Sequence, residues 1–144
     1  MKSVADILNA KGTNVWTIPP YVTVFEALSL MAEKNVGALV VVDQGAVTGM
    51  LSERDYARKV ILHGKSEKET YVREIMTSNV YSVVREDKLD QCMALMTTKH
   101  IRHLPVIDDG KLLGIISIGD VVKAIIADKE TLIKDLENYI TGKR

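Results

Sequence analysis

Net charge is missing from this sequence, in which nineteen Lys and Arg are balanced by nineteen Asp and Glu. With no broad field of one sign, nothing holds a nucleic-acid backbone or an anionic membrane, so both are excluded as partners and any phosphate must be held locally. Cysteine is nearly absent too. The single Cys92 rules out an internal disulfide framework. No apolar run approaches the roughly 20 residues of a membrane-spanning helix, and the N-terminus has no secretory pattern, which predicts a soluble, cytoplasmic protein. At 144 residues the chain suits one compact domain, or two small halves sharing a core, that buries roughly 70% of its unfolded surface.

What is present is a duplication. Gly49-Met50-Leu51-Ser52-Glu53-Arg54-Asp55 returns 65 positions later as Gly114-Ile115-Ile116-Ser117-Ile118-Gly119-Asp120. The same offset superposes Met31 on Met96, Leu39 on Leu104, Val41 on Val106 and Gly45 on Gly110, while Val4 and Ile7 meet Val72 and Ile75 at an offset of 68. Two copies at so long a period argue for two half-domains about a pseudo-twofold axis rather than a solenoid.

In chain order, Ser3 and Asp6 form a capping box that opens a short helix to Asn9, with Gly12 beyond its end. Val15–Ile18 is a short extended run stopped by Pro19-Pro20. Thr23 and Glu26 form a second box, opening a helix with Val24, Ala27, Leu28 and Met31 on one face and Gly37 past its end. The continuous apolar run Ala38–Val42 predicts a strand covered on both faces, joined by Asp43-Gln44-Gly45 to the strand Ala46–Leu51. A helix then starts at Ser52 and ends at Gly64.

The second copy repeats this order: helix at Val72–Met76, strand at Val80–Val84, helix at Lys88–Lys99, and a hairpin turning at Asp109-Gly110. The boundaries follow as 1–66 and 67–127 for the repeats, with 128–144 as an added C-terminal helix. That last helix has Asp128 and Lys129 as a break before it and carries the stripe Leu132, Ile133, Leu136, Tyr139 and Ile140, which has no counterpart in the first repeat. A second copy of the chain is the expected cover for the stripe.

Taken once, Ser-x-x-Asp at a helix start is a cap. Here a buried strand delivers the pair to its carboxyl end twice, the edge at which α/β sheets bind ligands. A helix N-terminus also offers N–H groups to phosphate, and a carboxylate can accept both hydroxyls of a ribose. Capping and ligand binding are both compatible with the pattern.

The two β-α-β-β-α copies resemble a tandem pair of cystathionine-β-synthase (CBS) domains, the Bateman module, of the stand-alone type. The likeness rests on Asn35-Val36-Gly37-Ala38-Leu39-Val40-Val41-Val42, Ile101-Arg102-His103-Leu104-Pro105-Val106-Ile107 and the two Ser-x-x-Asp ends. It implies an α/β fold and a cleft between the repeats that binds AMP, ADP or ATP, in some members NAD(H) or S-adenosyl compounds. It also implies regulation of a partner protein and no catalysis. Carried over by position, Asp55 and Asp120 would hold ribose, with Ser52 and Ser117 beside them toward the phosphate. Thr17 and Ile18, and their counterparts Ser82 and Val83, would frame the bases, and Arg54, Arg102 and His103 would meet phosphate. The copies differ, since Ala38 stands where His103 does and Glu53-Arg54 where Ile118-Gly119 does, so the two sites are expected to be unequal.

No metal is expected at His100 and His103, because no further ligand cluster accompanies them. Cys92 on an apolar face reads as a buried small residue. The expectation is therefore a homodimeric adenine-nucleotide sensor acting on an unnamed protein. An enzyme is the competing class, but no nucleophile-base pair supports it; a structural adaptor with degenerate sites is the other.

Overall fold

The computed structural model describes residues 2–141, which form two compact units. One comprises Asn14–Tyr81 with Asp109–Leu112. The other comprises the chain up to Thr13, Ser82–Asp108, and the chain from Leu113 on. The elements in order are α1 (Val4–Lys11), β1 (Thr17–Ile18), α2 (Val24–Lys34), β2 (Ala38–Asp43), β3 (Ala46–Ser52), α3 (Glu53–Tyr56), α4 (Val72–Ile75), α5 (Leu89–Lys99), β4 (His103–Asp108), β5 (Lys111–Ser117) and α6 (Ile118–Ile140).

The units do not coincide with the repeats, because each repeat's opening helix docks in the unit built from the other. In the Asn14–Tyr81 unit, the N–H groups of Val72 and Arg73 at the start of α4 donate to the carbonyls of Val22 and Pro20 (both 2.9 Å). The other unit contains the matching pair: Val4 donates to Asp87 (2.9 Å) and Ala5 to Arg85 (3.0 Å). These bonds give partners to N–H groups that a helix start cannot satisfy internally.

In the Asn14–Tyr81 unit, β1 runs parallel to β2, with Ile18 opposite Val41, and β2 pairs antiparallel with β3. Ala38 to Val41 are all buried, as expected of a strand covered on both faces. The core joins Val24, Ala27 and Met31 of α2 to Leu39, Val41 and Leu51 of the sheet and to Val72 and Ile75 of α4. In the second unit β4 pairs with β5, and Val83 makes a single parallel bridge to Val106. The strand expected over Val80–Val84 is thus one bridge, made by Val83 N–H to Pro105 O (3.1 Å) and Ile107 N–H to Val83 O (3.0 Å).

Several local signals appear twice at matching φ. Asn35 and His100 are left-handed caps (both φ 54°) closing α2 and α5, so α2 stops at Asn35, before Gly37. The hairpin turns Gln44-Gly45 and Asp109-Gly110 share positive φ at both positions, the geometry a two-residue turn needs. Thr23 accepts from the Glu26 N–H (3.2 Å), which is half of the expected box.

Two helices depart from expectation. After α3, residues Ala57–Ile61 form a π-helical turn, with Leu62 N–H bonded to Ala57 O at 3.2 Å. The break at Asp128-Lys129 does not occur. Both residues lie within α6, which runs unbroken for 23 residues, and two charged side chains on an exposed helix do not interrupt its backbone ladder.

Candidate ligand-binding site

Each Ser-x-x-Asp end is a complete capping box. Ser52 and Ser117 sit in extended conformation at the ends of β3 and β5 and cap α3 and α6, with Asp55 and Asp120 reaching back to the serine N–H at 2.9 and 2.8 Å. The first N–H of each helix is taken in the same way by the turn preceding β2 or β4: Glu53 by Gly37 O (3.1 Å) and Ile118 by Arg102 O (2.8 Å). Strand, helix start and turn are therefore locked together in each copy.

The glycine that opens each signature has a steric reason. A Cβ on Gly49 would lie 2.6 Å from Met76 Sδ and 3.1 Å from Thr77 O, and one on Gly114 would lie 2.7 Å from Leu8 Cδ2. At both positions the segment approaching the strand belongs to the exchanged opening helix or follows it. Each glycine admits that segment against the strand carrying Ser and Asp.

The hydrogen bonding of the two ends differs. Around Asp55 every group is engaged: Oδ2 accepts from the Ser52 N–H and hydroxyl (3.1 Å), and Oδ1 from Lys59 Nζ (3.1 Å) and Thr77 Oγ1 (3.4 Å). Lys59 Nζ also donates to Ile75 O at 2.8 Å. Around Asp120 only Oδ2 is used, by the Ser117 N–H and by Lys11 Nζ at 2.7 Å. Lys11, in the last turn of α1, also donates to Ile115 O at 3.0 Å. Among the described residues, Asp120 Oδ1 accepts no hydrogen bond, while the Ser117 hydroxyl lies beside the carboxylate and helps to hold it ionised. Burial alone would raise the Asp120 pKa, but the bonds from Lys11 and Ser117, with the Lys11 charge, hold it below its usual value.

The other expected site residues divide between the units. Thr17, Ile18, Ser52, Arg54 and Asp55 belong to the Asn14–Tyr81 unit, where Thr17 is exposed, Ile18 buried and Arg54 exposed. Ser82, Val83, Arg102, His103, Ser117 and Asp120 belong to the other. There Val83 is bonded to β4, Ser82 and Arg102 are exposed, and His103 opens β4. Sequence reasoning missed Lys11 and Lys59. A basic residue ending a helix looks like a dipole partner, and Lys11 meets a carboxylate 109 positions away.

Cys92 is fully buried, and that burial, with Asp87 and Asp90 nearby, raises its thiol pKa to about 11. His100 serves as the backbone cap of α5. Among the described residues, no group of three or more His, Cys, Asp or Glu could hold a metal ion, and no helix is long and apolar enough to cross a membrane.

The duplicated α/β fold with its two Ser-x-x-Asp ends is that of a CBS domain pair, a regulatory class of module. The CBS domain model matches residues 4–62 and again 72–127, and the chain belongs to that family. It is similar to the CBS domain-containing protein CBSX3, mitochondrial, of Arabidopsis thaliana, at 40% identity over 150 residues covering 97% of this chain and 72% of the relative. Among solved structures it resembles a protein with CBS domains from Burkholderia ambifaria, at 52% identity and a TM-score of 0.85, covering 88% of this chain and 96% of the other. It also resembles the CBS domain pair of protein MJ0100 in complex with 5′-methylthioadenosine and S-adenosyl-L-methionine. That likeness has 26% identity and a TM-score of 0.77, covering 86% of this chain and 99% of the other.

Proposed function

We propose that the chain is a regulatory sensor of adenine nucleotides, and that the Ser117–Asp120 end is its principal binding site. The observation carrying this reading is the open hydrogen-bonding capacity at that end: Asp120 Oδ1, a carboxylate oxygen for a ribose hydroxyl, with Ser117 beside it toward the phosphate. Ser82 and Val83 would frame the base, and Arg102 and His103 would meet the phosphate. The MJ0100 complex supports an adenosine-containing ligand. AMP, ADP and ATP are the first choice, with NAD(H) and S-adenosyl compounds as the alternative.

The Ser52–Asp55 end, with Thr17, Ile18 and Arg54, would bind the same class more weakly, because a ribose there must displace Lys59 or Thr77. Occupancy would be signalled to a partner protein. The exposed side chains of Leu132, Ile133, Leu136, Tyr139 and Ile140 on α6 support self-association as a homodimer. The proposed compartment is the cytoplasm, although the Arabidopsis relative is named mitochondrial.

A thermal-shift screen tests the ligand class. A compound bound only by the folded chain at 100 times its Kd adds about 2.7 kcal/mol, which at this size raises Tm by roughly 5 to 10 °C. If millimolar AMP, ADP, ATP, NAD, NADH and S-adenosylmethionine all leave Tm unchanged, the chain is not an adenine-nucleotide sensor and the adaptor reading replaces it.

A further inference from the structure

The two lysines that reach the site carboxylates occupy unrelated positions in the repeats. Lys59 lies in the turn after α3, and its counterpart 65 positions on is Ala124. Lys11 lies at the end of α1, and its counterpart 68 positions on is Asn79. Duplication therefore did not copy a lysine from one end to the other. Each end has its carboxylate neutralised by a lysine from a different source, so the pairing is a property of the site rather than a relic of the repeat.

The consequence bears on ligand charge. An unpaired Asp120 would repel a phosphate and attract a cation. Lys11 cancels that charge while using only Oδ2 of the carboxylate, which leaves Oδ1 available to a ribose hydroxyl. The geometry points to Lys11 as the residue that sets the charge class of the ligand, favouring phosphorylated adenosines over the cationic S-adenosyl type. This inference rests on the reading of Asp120 as the ribose acceptor. A ligand hydroxyl on Oδ1 at about 2.7 Å would lie across one carboxylate from Lys11 Nζ, so the lysine charge would act on the charged group that the ligand carries. At a separation on the order of 10 Å and an effective dielectric between about 20 and 80, each phosphate charge changes affinity by roughly two- to fifteenfold, so the expected effect on AMP is on the order of tenfold or more.

Three ligands sharing adenine and ribose separate charge from shape. AMP carries about two negative charges, 5′-methylthioadenosine has no charged group, and S-adenosylmethionine carries a sulfonium. Calorimetric titration of the wild-type chain and of Lys11→Met with all three is the test, with urea unfolding to verify that the variant is folded. Lys11→Met should weaken AMP about tenfold, leave 5′-methylthioadenosine within about threefold, and strengthen S-adenosylmethionine; Lys11→Arg should restore the AMP preference. A variant that weakens all three ligands equally would make Lys11 a structural support and overturn the inference while leaving the ribose assignment intact. If the wild-type chain binds none of the three, the ribose assignment itself fails and the inference falls with it.

Discussion

Gly49→Ala should destabilise the Asn14–Tyr81 unit more than Gly114→Ala destabilises the other, although the two glycines are equivalent in sequence. At Gly49 the added methyl meets Met76 Sδ at 2.6 Å, Met76 Cγ at 3.0 Å and Thr77 O at 3.1 Å. A methionine side chain can swing away, but Thr77 O cannot. It accepts from Met50 N–H at 2.9 Å while Thr77 N–H donates to Met50 O at 2.8 Å, so relieving the clash means stretching both bonds. Overpacking of this kind costs about 1 to 3 kcal/mol, partly offset by the roughly 0.5 to 1 kcal/mol gained when glycine is replaced inside a strand. The net expectation is a loss of about 1 to 2 kcal/mol. At Gly114 the close contact is the tip of the Leu8 side chain at 2.7 Å, with the next atom at 3.6 Å, and a rotamer change suffices. That loss should stay under about 1 kcal/mol. Urea unfolding followed by circular dichroism, with Trp16 fluorescence reporting on the first unit, measures both. If Gly49→Ala is as stable as the parent, or Gly114→Ala costs more, the close-approach account of these glycines is wrong.

The Asp120 pKa is depressed below its ordinary value of 3.8 in the fold, so on acidification the unfolded chain takes up that proton first. The stability contributed by the Lys11–Asp120 contact should be fully present near neutral pH and be lost as pH falls through the depressed value. The stability gap between wild type and Lys11→Met, from urea unfolding at pH 7 and at about pH 2.5, should therefore shrink; a gap independent of pH would refute the pairing. On α6, Leu136 and Ile140 are exposed, so Leu136→Glu with Ile140→Glu should leave the far-ultraviolet spectrum unchanged and abolish the proposed self-association. An unchanged sedimentation mass would remove α6 as the interface.

What could be read from sequence was local. The capping boxes at Ser52 and Ser117, the Asp109-Gly110 turn and the buried run at β2 are set by residues within a few positions of one another, and the structure has them. The strand at Val80–Val84 was overread because apolar composition cannot reveal how many residues will find a partner, and only Val83 does. The break at Asp128-Lys129 was overread for the opposite reason: charged residues on a solvent-facing helix resemble a linker. The exchange of opening helices was hidden, since Val72 follows the first repeat in sequence and scores as the start of the second. Lys11 illustrates the limit at the candidate site. Nothing near it in sequence suggests a carboxylate, and its role depends on α1 docking in the unit that contains Asp120.

The central claim is that Asp120 accepts a ribose hydroxyl, and calorimetric titration with AMP and 2′-deoxy-AMP tests it most directly. A hydrogen bond to a charged group contributes about 1.5 to 3 kcal/mol, so the wild-type chain should prefer AMP by roughly ten- to a hundredfold. Asp120→Ala, which removes the acceptor, should abolish that preference, and Asp55→Ala should reduce it far less, because Asp55 has both oxygens engaged within its own unit. A wild-type chain that binds the two ligands equally, or an Asp120→Ala variant that still prefers AMP, would contradict the account.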